Sequence, residues 1–174
     1  MAIVLNGSSN TITPVSAVQP AGSIFQIINA VYSTAATFTT SGSTFQDTGL
    51  TAAITPSSSS NKILVIYALE CAAPDGYRHG CKLVRGSTDI LLGDAAGSRV
   101  RASNNQGNPP NTVRMTHFKN TYLDSPATTS ATTYKLTGWS ESNGAFYINR
   151  SANNTDGSGH ARGVSTITLM EVAA

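Results

Sequence analysis

The side chains able to carry acid–base or metal chemistry in this sequence are few: three histidines, nine acidic residues and two cysteines among 174 positions. His79, His117 and His160 stand far apart. His79 follows a turn signal, "PDG" at Pro74–Gly76; His117 alternates with Val113 and Met115; His160 lies in the Gly/Ser-rich run "DGSGHARG". A Ser/His/Asp triad needs one of them beside a nucleophile and an orienting acid, yet no GxSxG, HExxH or CxxC marks such a place. Serines are so frequent that each histidine has candidates nearby, which makes proximity uninformative. Surface or interface hydrogen bonding is the expected use of all three. His160 and Asp156 together offer two metal ligands without a specific spacing, whereas a zinc site uses three or four. Glu70, Glu141 and Glu171 sit in or beside strand-like runs, and nothing pairs them as glycoside hydrolysis requires. The glycines fall in loops that do not open helices, so no phosphate cradle is indicated. The expectation is a protein without catalytic residues, metal or cofactor.

Cys71 and Cys81 are ten positions apart. If "PDG" turns a hairpin, Cys71 faces a residue near Tyr77 to His79 rather than Cys81, and bridged Cβ atoms must lie within about 4.5 Å. Two reduced, partly buried thiols are expected.

The elements that would position these residues are strands. Apolar runs of strand length recur, each bounded by Gly, Pro, Asn, Asp or Ser: 24–32, 44–47, 50–54, 62–70, 77–85, 89–92, 113–118, 132–139, 145–149 and 164–172. In "VSTITLMEV", Val164, Thr166, Thr168, Met170 and Val172 share one face, and Ser165, Ile167, Leu169 and Glu171 the other. "KILVIYALE" is apolar without a break, which reads as a central strand covered on both faces. No window has helical periodicity, and Thr, Val, Ile and Tyr dominate the periodic segments. About eight to ten short strands indicate an all-β, antiparallel β-sandwich of the jelly-roll kind.

Residues 1–22, restricted by Pro14 and Pro20, read as an extended attachment arm, and 23–174 as the sandwich. Residues 93–112 read as one long polar loop, a length usually tied to function. "DSPATTSATT" (Asp124–Thr133) resembles a linker in composition, but "SP" sets a turn and the threonines enter the next strand, which makes it part of one domain. Tyr77, Tyr122, Trp139 and Tyr147 are candidates for a saccharide groove, although aromatics on strands usually pack a core or an interface.

Charged residues are 11% of the chain, against about 25% in ordinary soluble domains, and the formal net charge is +2. With no run of Lys and Arg, a nucleic-acid partner is not expected. No stretch approaches the ~20 apolar residues of a membrane-spanning helix. The N-terminus lacks the basic region of a signal peptide. The expected product is made in the cytoplasm and leaves it, if at all, within a larger particle.

Four ordered segments, "DTGLTAAITPSSSSNKILVIYALE" (Asp47–Glu70), "LVRGSTDI" (Leu83–Ile90), "YLDSPATTSATTYKL" (Tyr122–Leu136) and "STITLMEVAA" (Ser165–Ala174), resemble a family of tail-fibre-like virion surface proteins of tailed bacteriophages. The family is frequent in phages of cyanobacteria and other aquatic bacteria. The resemblance runs over roughly residues 22–174 and brings no catalytic motif. It implies a trimeric β-sandwich module displayed on a virion. At ~3.4 Å per residue the arm spans at most about 70 Å, enough to cross a neighbouring shell subunit but too short for a fibre shaft.

The expected role is therefore a homotrimeric capsid decoration, or cement, protein on the capsid exterior. Ile3, Val4, Leu5 and Ile12 would grip the major capsid protein. Tyr134, Leu136, Trp139, Ile167, Leu169 and Met170 would pack subunits together. The alternative is a short tail fibre or receptor-binding module, attached to a tail or adaptor protein and reading host surface glycans. There, loops 93–112 and 153–162, with Tyr77, Arg99 and Arg101, would be exposed for recognition.

Overall fold

The structure, a computed structural model, describes residues 20–40, 43–107, 113–141 and 144–174, together with the backbone of two short strands near the N-terminus. Among these residues every regular element is a β-strand. In chain order they are β1 (Ile3–Asn6), β2 (Thr11–Pro14), β3 (Ile24–Tyr32), β4 (Ala36–Thr39), β5 (Gln46–Ile54), β6 (Lys62–Ala72), β7 (His79–Arg85), β8 (Thr88–Ile90), β9 (Asn104–Gln106), β10 (Thr116–Asp124), β11 (Thr132–Ser140), β12 (Ala145–Ile148) and β13 (Ser165–Val172).

Their pairing is nested. β3 lies antiparallel to β13, β5 to β11, β6 to β10, and β7 to β8. The chain thus runs as one long hairpin whose halves meet rung by rung, and this hairpin is rolled into two sheets. One sheet places β13 between β3 and β6, with β10 on the far edge of β6. The other places β11 between β5 and β7, with β8 and β9 sharing the far edge of β7. Eight main strands in this order are a jelly roll. β12 and β4 extend the first sheet past the end of β13.

Alternation sorts each strand's residues onto two faces, and one face of each sheet goes inside. Ile63, Val65, Tyr67 and Leu69 of β6, Ile167 and Leu169 of β13, and Phe118 of β10 meet Leu50, Ala52 and Ile54 of β5, Tyr134 and Leu136 of β11, and Leu83 of β7 in one continuous core. Eight of these side chains have no exposed surface at all: Ile63, Val65, Leu69, Leu83, Tyr134, Leu136, Ile167 and Leu169. The turn before β11 therefore feeds a central strand of the second sheet, as "SPATTSATT" implied.

Several expectations change. Residues 3–6 and 11–14 form an antiparallel ladder, Ile3 against Pro14 and Asn6 against Thr11, so that part of the arm doubles back rather than running out straight. Two predicted strands at 44–47 and 50–54 are one, β5, bent at Gly49, whose φ of +83° only glycine adopts easily. β4 and β9 were not foreseen, and β9 interrupts the long loop by pairing with β7. β6 is central but buried on one face only: Ile66 on its other face is 38% exposed.

Polar groups tie the layers together where the core ends. Tyr67 on β6 donates to Asn104 Oδ1 on β9, 2.5 Å across the sandwich, which accounts for a strand as polar as "NNQ" lying there. Glu171, with no exposed surface, anchors the β5–β6 connection. Its Oε1 accepts from the Ser57 N–H at 2.6 Å, the Ser57 hydroxyl at 2.7 Å and Asn61 Nδ2 at 2.7 Å; its Oε2 accepts from Gln26 Nε2 at 2.6 Å. Burial alone would raise this carboxyl's pKa, but the hydrogen bonds from Asn61, Gln26 and Ser57 prevail and hold it at about 2, below the ordinary 4.5.

Because the folded pKa is depressed, the carboxylate stabilises the fold fully above pH 4.5 and the contribution disappears as pH falls towards 2. Glu171→Gln should lower the unfolding free energy by about 2–4 kcal/mol at neutral pH, since buried donors lose a charged acceptor. Urea titrations should show the gap between wild type and variant closing between about pH 5 and pH 2. A gap independent of pH would mean that the charge does not matter.

Candidate interaction surface

The two outer faces of the sandwich differ in character. On the second sheet the outward positions of β5, β7 and β11 include Asp47, Thr51, Lys82, Thr133, Lys135 and Thr137. Ion pairs cover this face: Lys135 to Asp47 at 2.7 Å and Lys82 to Asp89 at 2.6 Å. It is dressed for water.

The outer face of the first sheet is not. Reading across the strands from β3, one row is Ile27, Met170, Leu64 and Leu123; the next is Asn29, Thr168, Ile66 and Thr121; the next is Val31, Thr166, Ala68 and Lys119. At one end lies Ile24 beside Val172 and Lys62, and at the other Glu70 beside His117. Exposure follows the rows: Ile24 53%, Ile27 57%, Val31 61%, Ile66 38% and Leu123 45%. Five of the eight large apolar side chains exposed among the described residues thus share this one face. Charges lie only at its rim, where Glu70 pairs with His117. A shallow groove of about 560 Å³ crosses the middle rows between Ile66, Thr121 and Thr168. Scattered apolar residues on a surface mean little, but a contiguous patch rimmed by polar groups marks an association surface.

Of the residues expected to pack subunits, Met170 alone lies on this face. Tyr134, Leu136, Ile167 and Leu169 are in the chain's own core, so these four are corrected from interface to core residues, while Trp139, 7% exposed, stacks on Phe45 outside that core cluster. Strand parity is the reason: Thr166, Thr168 and Met170 point outward where Ile167 and Leu169 point in. The side chains of Ile3, Val4, Leu5 and Ile12 lie outside the described residues, as do positions 108–112 of the long loop. Tyr77 is half-buried behind the Pro74–Tyr77 turn, and Arg99 and Arg101 are exposed, with Arg101 donating to the Gly93 carbonyl at 2.7 Å.

The histidines are not brought together. His79, expected at a surface, has no exposed area; its ring lies 5.5 Å from that of Phe118, and Nε2 is 2.9 Å from the Thr116 hydroxyl. Burial lowers its pKa to about 4, which leaves it neutral at physiological pH. His160 lies in the 150–162 loop region with Asp156, and among the described residues no three His, Cys, Asp or Glu side chains converge as a metal site would need. Cys71 and Cys81 are free thiols, fully rather than partly buried, and burial pushes the Cys81 thiol up to about 12.

No family model matches this chain, and no curated protein matches it. Among solved structures it is similar to a chain in the structure of the infectious bursal disease virus Gt strain, with 12% identity and a TM-score of 0.44. The similarity covers 100% of this chain, which spans 43% of the length of that one.

Proposed function

We propose that this chain is a non-enzymatic structural protein of a bacteriophage virion, a decoration protein that assembles as a homotrimer and binds the major capsid protein on the outside of the shell. The observation that carries the reading is the unequal dressing of the sandwich. A finished core lies beneath an outer face whose middle rows hold Ile27, Leu64, Ile66, Leu123 and Met170 and no acidic residue. A chain that worked alone would charge that face as it charges the opposite one. In a closed ring of three, each copy sets this face against a different surface of the next, which covers all three copies of the patch. The resemblance of the four segments to virion surface proteins supports the setting, and the N-terminal segment supplies the attachment to the shell.

Decoration stabilises a shell because a ligand that binds only the assembled state shifts the equilibrium towards it. The test uses expanded capsids and purified protein. Wild-type protein should run as a trimer by native mass spectrometry, coat the capsids at saturation, and raise their melting temperature. A variant lacking residues 2–13 should remain trimeric and fail to coat. Full occupancy by that variant would refute attachment through the N-terminal segment, and a wild-type monomer at micromolar concentration would refute the trimer.

A further inference from the structure

A second feature lies away from the apolar face, where the end of β11 meets the loop before β9. Arg78 and Glu141 extend the β7–β11 ladder: the Glu141 N–H donates to the Arg78 carbonyl at 2.9 Å, and Arg78 Nη1 donates to Glu141 Oε1 at 2.8 Å. Beside this pair opens a cleft of about 630 Å³, also lined by Arg99, Val100, Asn105 and Trp139. The Trp139 ring stacks with that of Phe45, their centroids 6.1 Å apart. Arg99 is exposed, and among the described residues no carboxylate pairs with it.

We infer that this cleft is a binding site for an acidic saccharide, a sugar ring bearing a carboxylate. Its size lies within the range of small-molecule sites, about 300–1,000 Å³. Arg99 supplies a planar, always-charged fork that takes a carboxylate through two parallel hydrogen bonds. Arg78 and Glu141, fixed to each other and to the ladder, present a donor and an acceptor side by side, and Asn105 adds an amide; vicinal hydroxyls use both kinds of group. Val100 and the nearly buried Trp139 give the apolar wall that the C–H face of a sugar ring covers. A neutral sugar would leave Arg99 unused. A compact anion such as phosphate would meet Glu141 and leave the hydroxyl-binding side empty. The inference does not depend on the trimer or on the capsid.

The test is saturation-transfer NMR and calorimetry on the purified chain with trigalacturonate, maltotriose and inorganic phosphate. Trigalacturonate should bind, maltotriose should bind at least about tenfold more weakly, and Arg99→Gln should lose about tenfold or more with an unchanged melting curve. Asn105→Ala, at an exposed position, provides a second variant and should lose affinity in the same direction. No signal from trigalacturonate at about 10 mM, equal binding of maltotriose, or undiminished binding by both variants would overturn the inference. Displacement of trigalacturonate by an equal concentration of phosphate would also overturn it, leaving an anion site only.

Discussion

Asp124→Ala is expected to lower the unfolding free energy by about 2–4 kcal/mol, among the largest effects of any single substitution outside the apolar core. Asp124 ends β10 in the first sheet and is 3% exposed. Both of its oxygens accept from Arg85 Nη1 at 2.8 Å, and Oδ2 accepts from the Tyr134 hydroxyl at 2.6 Å; both donors belong to the second sheet. The carboxylate is thus a rivet between layers, and removing it strands a guanidinium and a phenol together. The lower part of the usual range for broken buried pairs applies because the Arg85 side chain is 27% exposed and keeps some water. Burial and the neighbouring Asp124 raise the Tyr134 pKa, so the phenol stays a donor over the accessible pH range. Tyr134→Phe should therefore cost about 1–2 kcal/mol, and the double variant less than the sum of the two. Urea denaturation measures all three. A loss below about 1 kcal/mol for Asp124→Ala would show that solvent already screens the cluster.

Ile66→Lys should convert the proposed trimer into a monomer without unfolding it. Ile66 stands in the middle row of the apolar face, on the central strand, with Thr168 and Thr121 as neighbours. Covering one such side chain is worth about 1.5–3 kcal/mol, and enclosing an unpaired ammonium in its place costs several more. Each ring repeats the loss three times, so association should weaken by well over about a thousandfold. The isolated chain should barely change, because that position is 38% exposed already. Thr133→Lys, on the ion-paired opposite face, is the control and should stay trimeric. Sedimentation velocity at several concentrations reads the result. If Ile66→Lys remains a trimer, subunits meet elsewhere; if it becomes insoluble, its melting curve distinguishes misfolding from loss of partners.

Much of the architecture was legible in the residues. The alternation in "VSTITLMEV" separated Ile167 and Leu169 from Thr168 and Met170, and "SPATTSATT" read correctly as a turn. What alternation does not encode is which of two faces is inside. On β13 both faces carry large apolar groups, and the expectation assigned Ile167 and Leu169 to a neighbouring subunit when the chain's own second sheet covers them. "KILVIYALE" misled for the same reason: a strand apolar on both faces looks the same whether the second face is covered within the chain or left for a partner. β9 had no signal, since "NNQ" has low strand propensity and is held by the free edge of β7 and by Tyr67. The Asp124 rivet and the cleft beside Trp139 join residues remote in sequence, as Arg85 and Asp124 illustrate, and no local pattern announces such meetings.

The nesting of the strands has a consequence for synthesis. The ladder partner of Tyr32 is Ser165, and that of Ile28 is Leu169. A ribosome working at about 5–20 residues per second emits β3 on the order of ten seconds before β13 exists to receive it. Until then β3 has one apolar side facing an unfinished core and the other, with Ile27 and Val31, facing nothing. Folding must also close the outermost rungs of the hairpin across almost the whole domain, the slow kind of closure. β3 is therefore the strand that waits longest for its ladder partner during synthesis.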